Sequence, residues 1–345
     1  MTATPGPSAN GAGDELDPGW SYTLVTPDGV ISDAIGWILP RLRDHGFRVS
    51  TFGLVSLDAK VMYELYTETE YDPDQLRVKP GQPKLPIAMF EDLYALAPAC
   101  LLMLRHPDGR ACPKMADCKG GTRPEYAAPG SIRAQGENVI LNFLHSPDDQ
   151  PSALRELRLL VGAAETRRLV AMTRCQDDGV NALAGVDRLD ACLPAFHGPD
   201  AMSFPAIANR VGNRVLQRLV PIAFEAGTAL DRLTAAHAAL GDQRAELGSL
   251  VTSRERLQAS RRLGGRIGSH LSSAADSLGE PLIADGVRAL TDLYELGGPR
   301  DLAPALALAG RGVYLAAAEK AALEAHRHAF VSNEFLDEIY SDGAG

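Results

Sequence analysis

Nowhere in this chain of 345 residues does an apolar run approach the roughly eighteen residues that a membrane-spanning helix needs, and the N-terminus carries no apolar signal core. A membrane-spanning or secreted protein is therefore not expected. Cysteine is scarce: Cys100, Cys112, Cys118, Cys175 and Cys192 are odd in number, irregularly spaced and without a CxxC pair. That pattern excludes a disulfide framework and points to reduced thiols in a cytoplasmic protein. His326 and His328 have no Cys or third His at ligand spacing, so they receive no role and no metal site of the protein's own is expected. Positive charge is also in deficit. With 34 Lys and Arg against 44 Asp and Glu, a net charge of −10 argues against a general nucleic-acid surface. What is present, 45% hydrophobic and 23% charged residues, is the composition of a soluble globular protein long enough for two domains.

Residues 1–19, rich in Pro, Gly, Ser and Ala, have little to bury and read as a disordered leader. A strand from Trp20 to Val25 follows, then a Thr26-Pro27-Asp28-Gly29 turn. A helix carrying Ile31, Ile35, Ile38, Leu39 and Leu42 stops at Gly46. Phe47 to Leu57 reads as a strand and Ala59 to Tyr66 as a helix; the segment DPDQLRVKPGQPK has no apolar period and reads as a loop. Strands at 98–105 and 138–144 complete a β-α-β-β-α-β order, the ferredoxin-like α+β arrangement, over residues 20–172.

Residues 173–203 hold Asp, Gly, Pro and Asn clusters and read as a linker or irregular subdomain. From 204 to 340 the pattern is an all-α helical bundle. Ile207, Val211, Val215 and Leu219 form one stripe. Leu233, Leu240 and Leu247 recur at seven-residue spacing beside Leu250 and Leu257, as in a coiled-coil-like hairpin. Breaks are expected at Gly264-Gly265 and Gly297-Gly298-Pro299.

The chemistry concentrates around one histidine. Val139, Ile140, Leu141, Phe143 and Leu144 fit a buried strand that breaks at His145-Ser146-Pro147-Asp148-Asp149, where Ser, Pro and Asp favour a turn and can cap a helix. In that helix Leu154, Leu157, Leu160 and Val161 mark the apolar face, and Glu156 lies about three turns beyond His145. A carboxylate on one imidazole nitrogen fixes the tautomer and leaves the other as nucleophile or base. Spacing alone favours the alternative, a partly buried histidine satisfied by backbone.

The segments PGSIR (129–133) and NFLHSPDD (142–149), with the SALRELRLL helix, resemble the PGTIR and NIIHGSDS stretch of nucleoside diphosphate kinases. TLVTPDGV (23–30) is similar to that family's first strand and KPDGV turn, PACLLML (98–104) to its central strand, and GTRP (121–124) to its GETNP loop. The resemblance runs in order from Tyr22 to Leu169, under half of the chain. It implies phosphoryl transfer from ATP or another nucleoside triphosphate, carried by Mg²⁺, through a phosphohistidine at His145 oriented by Glu156. It further implies Arg133 and Thr122 on the β- and γ-phosphates, Asn142 on ribose or phosphate, Tyr66 near His145 and a homo-oligomer. Phe90 is the nearest candidate for the ring against the base, and a core phenylalanine is the equal alternative.

Three departures stand out. The family's phosphate-side lysine is Thr26 here. Its second arginine aligns with Ala116, with Lys114 or Arg110 within reach if the gap lies elsewhere. The serine that bonds the glutamate becomes Pro147. Losing one preorganised donor or cation lowers such rates by about 10²–10³, so fast equilibration of ordinary nucleotides is not expected. Arg210, Arg214 and Arg218 share one helix face and could take a second, small-molecule substrate by its phosphate or carboxylate; a solvated face balanced by acidic neighbours is the alternative. Three readings follow: a divergent phosphotransferase, a nucleotide-binding regulatory or assembly protein with little turnover, and a repurposed ATP-dependent biosynthetic enzyme.

Overall fold

A computed structural model describes residues 17–58, 61, 64–65, 75–76, 85–174, 197–250, 253–293 and 301–342. Tyr66, most of the expected leader, the segment DPDQLRVKPGQPK apart from Gln75 and Leu76, the greater part of 173–203, and Gly297-Gly298-Pro299 lie outside these.

Strands β1 (Trp20–Val25), β2 (Arg48–Val55), β3 (Ala99–Arg105) and β4 (Leu144–His145) form one antiparallel sheet in the order β2-β3-β1-β4. This is the ferredoxin-like order. The central strands β1 and β3 are buried along almost their whole length, which explains their continuous apolar runs: both faces of the sheet are covered, so no polar alternation is needed. Outside the sheet, Gln75–Leu76 pairs with Leu85–Pro86 in a short ribbon.

The chain leaves β1 through two helices rather than one. α1 (Pro27–Ile31) is separated from α2 (Ile35–Asp44) by Ser32-Asp33-Ala34, where Asp33 adopts φ 55°. α3 (Ile87–Tyr94) precedes β3 and α4 (Ala111–Lys119) follows it. α5 (Gln150–Val161) and α6 (Ala163–Met172) come after β4. Pro151 in the first turn of α5 and the Asp149 side chain, accepting from Ser152 N at 2.7 Å, start that helix where the turn residues place it.

The expected strand over 138–144 is corrected: only Leu144 and His145 pair with β1, opposite Val25 and Leu24. The rest is a tight loop because Asn138 captures it. Its Oδ1 accepts from Ile140 N at 2.8 Å and Leu141 N at 3.0 Å, and Glu137 N donates to Leu141 O at 2.8 Å. These amides are no longer available to a ladder.

Beyond residue 200 the described chain is helical: α7 (Phe204–Ala226), α8 (Leu230–Ser249), α9 (Ser253–Ser277), α10 (Pro281–Asp292), α11 (Ala303–Ala307) and α12 (Ala317–Asp342). Ile207, Val211, Val215 and Leu219 are all fully buried, as their stripe requires. α8 and α9 form an antiparallel pair, with Arg262 on Glu246 at one end and Arg232 on Ser273 O at the other. The expected break at Gly264-Gly265 does not occur; both lie inside α9. Glycine serves packing on this helix instead, since a Cβ at Gly268 would sit 2.1 Å from Thr291 Oγ1. One continuous apolar core joins the helices to the sheet, and α12 packs on α3.

Candidate functional site

The site grows from the TPDG turn. Asp28 is buried and its Oδ2 accepts from Phe143 N at 2.9 Å, while Thr26 N donates to Phe143 O at 2.9 Å. Gly29 lies against the same peptide: a Cβ there would be 2.6 Å from Phe143 O. Phe143 is thereby held at φ 73°, a conformation that a bulky residue adopts only when its surroundings impose it. The next two residues, Leu144 and His145, enter the sheet, and His145 is its last paired residue. Burial, the largest influence, raises the Asp28 carboxyl above its ordinary value.

His145 Nε2 meets Glu156 Oε2 at 2.9 Å, so α5 returns its carboxylate to the imidazole as the spacing suggested. Tyr22 Oη donates to that same oxygen at 2.6 Å, and Arg155 donates to Oε1 at 3.2 Å. Arg155 also donates to Glu64 O at 3.0 Å and Leu65 O at 3.3 Å, anchoring the backbone just before Tyr66 to α5. Glu156 is 5% exposed. With two other donors already on the carboxylate, Nε2 enters as its N–H, which leaves the lone pair on Nδ1.

Thr122, Arg133 and Asn142, distant in sequence, are brought together. Arg133 Nη2 donates to Leu144 O at 2.8 Å and Nη1 to Thr122 Oγ1 at 3.4 Å; Asn142 Nδ2 donates to Val139 O at 2.8 Å and Thr122 O at 3.3 Å. Gly120, at φ 81°, turns the chain into this loop, and a side chain there would strike Ser131.

Other expected residues are not at the site. Phe90 is buried and stacks on Tyr94 with centroids 5.9 Å apart, a core position rather than an open platform for a base. Lys114 pairs with Asp108 at 3.5 Å and does not replace the missing arginine. The expected anion face on the bundle is corrected as well. Arg210 Nε and Arg214 Nη1 close on the fully buried Glu319 at 2.9 and 2.6 Å, and Arg218 Nε donates to Arg311 O at 3.4 Å. The balancing acid comes from α12, more than a hundred residues away, which spacing on one helix does not reveal.

Two side chains escaped sequence reasoning. Tyr22 stands in a strand whose alternation carries no hint of a partner, and its hydroxyl reaches the glutamate that Pro147 cannot. Lys119, buried at the end of α4, donates from Nζ to Ser146 O at 3.0 Å and Asp148 Oδ1 at 3.3 Å. Its position three residues before Thr122 was the available signal.

The helices reach this loop too. Asn138 Nδ2 meets His326 Nδ1 at 2.9 Å, and His326 Nε2 meets Met202 O at 3.2 Å. Burial pushes the His326 imidazole down to about 4 and is also the main cause that lifts the neighbouring Glu137 carboxyl to about 7.

Residues 20–166 match the family model described as nucleoside diphosphate kinase. The nucleoside diphosphate kinase of Symbiobacterium thermophilum is 30% identical over 146 residues, which cover 42% of this chain and 88% of that protein. The chain belongs to the nucleoside diphosphate kinase family. The nucleoside diphosphate kinase of Streptococcus thermophilus is 29% identical over 147 residues, 41% of this chain and 97% of that protein. Among solved structures, a halophilic nucleoside diphosphate kinase from Halobacterium salinarum in complex with CDP is 24% identical with a TM-score of 0.35, covering 42% of this chain and 89% of that one. For the kinase-like part, family membership assigns nucleotide phosphotransfer as the broad chemistry. Among the described residues no helix is long and apolar enough to cross a membrane, and no group of three or more His, Cys, Asp or Glu could hold a metal ion.

Proposed function

We propose that the chain is a divergent phosphotransferase that moves the γ-phosphoryl group of ATP, or another nucleoside triphosphate bound with Mg²⁺, through a phosphohistidine at His145. The observation that carries this reading is the 2.9 Å contact of His145 Nε2 with a carboxylate already held by Tyr22 and Arg155. The Nδ1 lone pair attacks the γ-phosphorus, the bond to the β–γ bridging oxygen breaks, and the nucleoside diphosphate leaves with both electrons of that bond. The imidazole gains positive charge as the N–P bond forms, and Glu156 stabilises it. A second diphosphate then takes the group back on a terminal oxygen. Arg133 and Thr122 serve the β- and γ-phosphates and Asn142 the ribose or a phosphate; the role of Tyr66 near the imidazole rests on the family resemblance alone.

The uncharged Thr26 favours a slower enzyme, or a nucleotide-binding regulator, over fast equilibration of ordinary diphosphates. The biosynthetic reading loses its proposed second-substrate site, because Glu319 occupies Arg210 and Arg214. Intact mass after brief incubation with ATP and Mg²⁺ tests the proposal. A gain of one phosphoryl group that is lost in acid and absent from His145→Ala is the expected result. Nucleotide bound without any such gain sinks the transfer reading in favour of the regulator.

A further inference from the structure

The helical part of the chain grips the loop that leads into His145, and it does so through one buried imidazole. Asn138 is 4% exposed and is the hub of that loop. Its Oδ1 accepts from Ile140 N and Leu141 N, so Nδ2 is the end that meets His326 Nδ1 at 2.9 Å. An amide group is nearly symmetric in shape and fits a site either way round. In the reverse orientation two backbone N–H groups would face an NH₂. An acceptor at Nδ1 of His326 selects the productive orientation. His326, 2% exposed in α12, is itself fixed by Met202 O on Nε2 and by the Phe204 ring, with centroids 5.2 Å apart.

The turn that Asn138 closes presents Val139 O to Asn142 Nδ2 at 2.8 Å, and a Cβ at Gly136 would lie 2.8 Å from Asn142 Cα, so the loop has little room for another path. Asn142 precedes Phe143, whose amide is held by Asp28 Oδ2 and whose φ of 73° turns the chain into the strand carrying His145. The segment before α7 touches the other side of this grip: Gly198 N donates to Ile31 O at 2.8 Å, at the end of the helix that carries Asp28. Glu137 lies against the Phe204 backbone, with Arg256 acting on its charge. Residues of α7, α9 and α12 thus converge on positions 137 and 138, and all three helices lie beyond residue 166, where the family match ends.

We propose that His326 is a positioning residue for phosphoryl transfer at His145: by fixing the Asn138 amide it holds Asn142, and the peptide that enters the strand of His145, in place. The helical part is then a portion of the active unit rather than an appendage. The inference rests on the reaction proposed above, since it concerns the same site.

His326→Phe and His326→Asn, made in the full chain, separate this from a structural role. Both lose the bond to Met202 O. Phenylalanine keeps the ring volume and offers no acceptor; asparagine loses the ring, and its Oδ1 falls where Nδ1 stood. Phosphorylation of His145 at saturating ATP and Mg²⁺ should slow by about ten- to a hundredfold in His326→Phe, as small displacements of reacting groups do. His326→Asn should recover most of that rate although its Tm is the lower of the two. Amide hydrogen exchange in the peptide spanning 137–143 should be faster in His326→Phe than in His326→Asn, and this readout needs no turnover. Rates that follow Tm instead of the acceptor, or equal exchange in the two variants, would overturn the assignment. If His326→Phe does not fold, nitrogen NMR of the wild-type imidazole replaces it: a proton on Nε2 is expected, and one on Nδ1 removes the amide selection. A wild type that forms no phosphohistidine while the exchange contrast persists removes the proposed reaction and leaves His326 ordering the loop. Phosphohistidine formed at the same rate in both variants does the reverse.

Discussion

Tyr22 and Glu156, separated by 134 positions, share a 2.6 Å hydrogen bond on the very oxygen that receives His145 Nε2. The strand at the centre of the sheet thus supplies the hydroxyl that the turn after His145, interrupted by Pro147, does not. Glu156 is held from three directions, and its freedom to swing away from the imidazole is small. The arrangement predicts which changes will harm chemistry and which will harm the fold.

Tyr22→Phe keeps the buried ring and removes only the hydroxyl. A hydrogen bond to a charged group contributes about 1.5–3 kcal/mol to stability, so Tm should fall by several degrees and the loosened Glu156 should slow phosphorylation of His145 by about one to two decades. Rapid-quench measurement of phosphoryl incorporation reads this, and a wild-type rate would show that Arg155 alone orients Glu156.

In Glu156→Gln the amide can present either a donor or an acceptor to Nε2, so the imidazole tautomer is no longer fixed and the developing positive charge loses its partner. Comparable losses at an imidazole-orienting carboxylate reach about 10⁴ in rate. The incorporation rate should fall by at least about 10² with ADP affinity preserved. A large loss of affinity instead would assign Glu156 to nucleotide binding.

Gly29→Ala brings a Cβ to 2.6 Å from Phe143 O and 2.8 Å from Val25 Cγ1. Both neighbours are buried, and one is backbone held by Thr26 N. Overpacking of this kind is expected to lower stability by about 1–3 kcal/mol and to displace the peptide that leads into His145. Denaturant unfolding together with the phosphorylation rate checks it. A loss of stability with unchanged rate would mean that the displacement stops short of the imidazole.

His326 predicts a pH dependence. Asn138 Nδ2 is a donor and its Oδ1 is already taken by two amides, so Nδ1 of His326 must accept and Nε2–H must donate to Met202 O. Only the neutral ring satisfies both. Its folded value of about 4 lies below the ordinary 6.5, so the unfolded chain binds the extra proton first as pH falls. The stabilisation is full above 6.5 and is lost progressively down to about 4, by a total of about 3 kcal/mol. Denaturant unfolding across this range should slope less in His326→Gln. Equal slopes in the two proteins would assign the acid sensitivity to other groups.

Local pattern made much of this fold legible. The strand from Trp20 to Val25, the capped helix after Asp149 and the stripe from Ile207 to Leu219 are where the sequence suggests, because each depends on residues within a few positions of one another. The run 138–144 misled because one side chain, Asn138, outcompetes a sheet for the amides next to it. The glycines of α9 misled because a glycine packed beneath a neighbouring side chain leaves no local trace that distinguishes it from one ending a helix.

The family, the ferredoxin-like order and the pairing of His145 with Glu156 were all legible from residue order, since they rest on motifs or on a single helix returning to a strand end. Which side chains complete the site emerges from packing. Tyr22 reaches Glu156, Lys119 reaches the carbonyl after His145, Glu319 withdraws Arg210 and Arg214 from any ligand, and His326 holds the loop beside Asn138. Each of these joins separate elements across a buried gap. A hydrogen bond or ion pair there depends on where two backbones are packed, and packing is a property of the whole core rather than of the residues that meet.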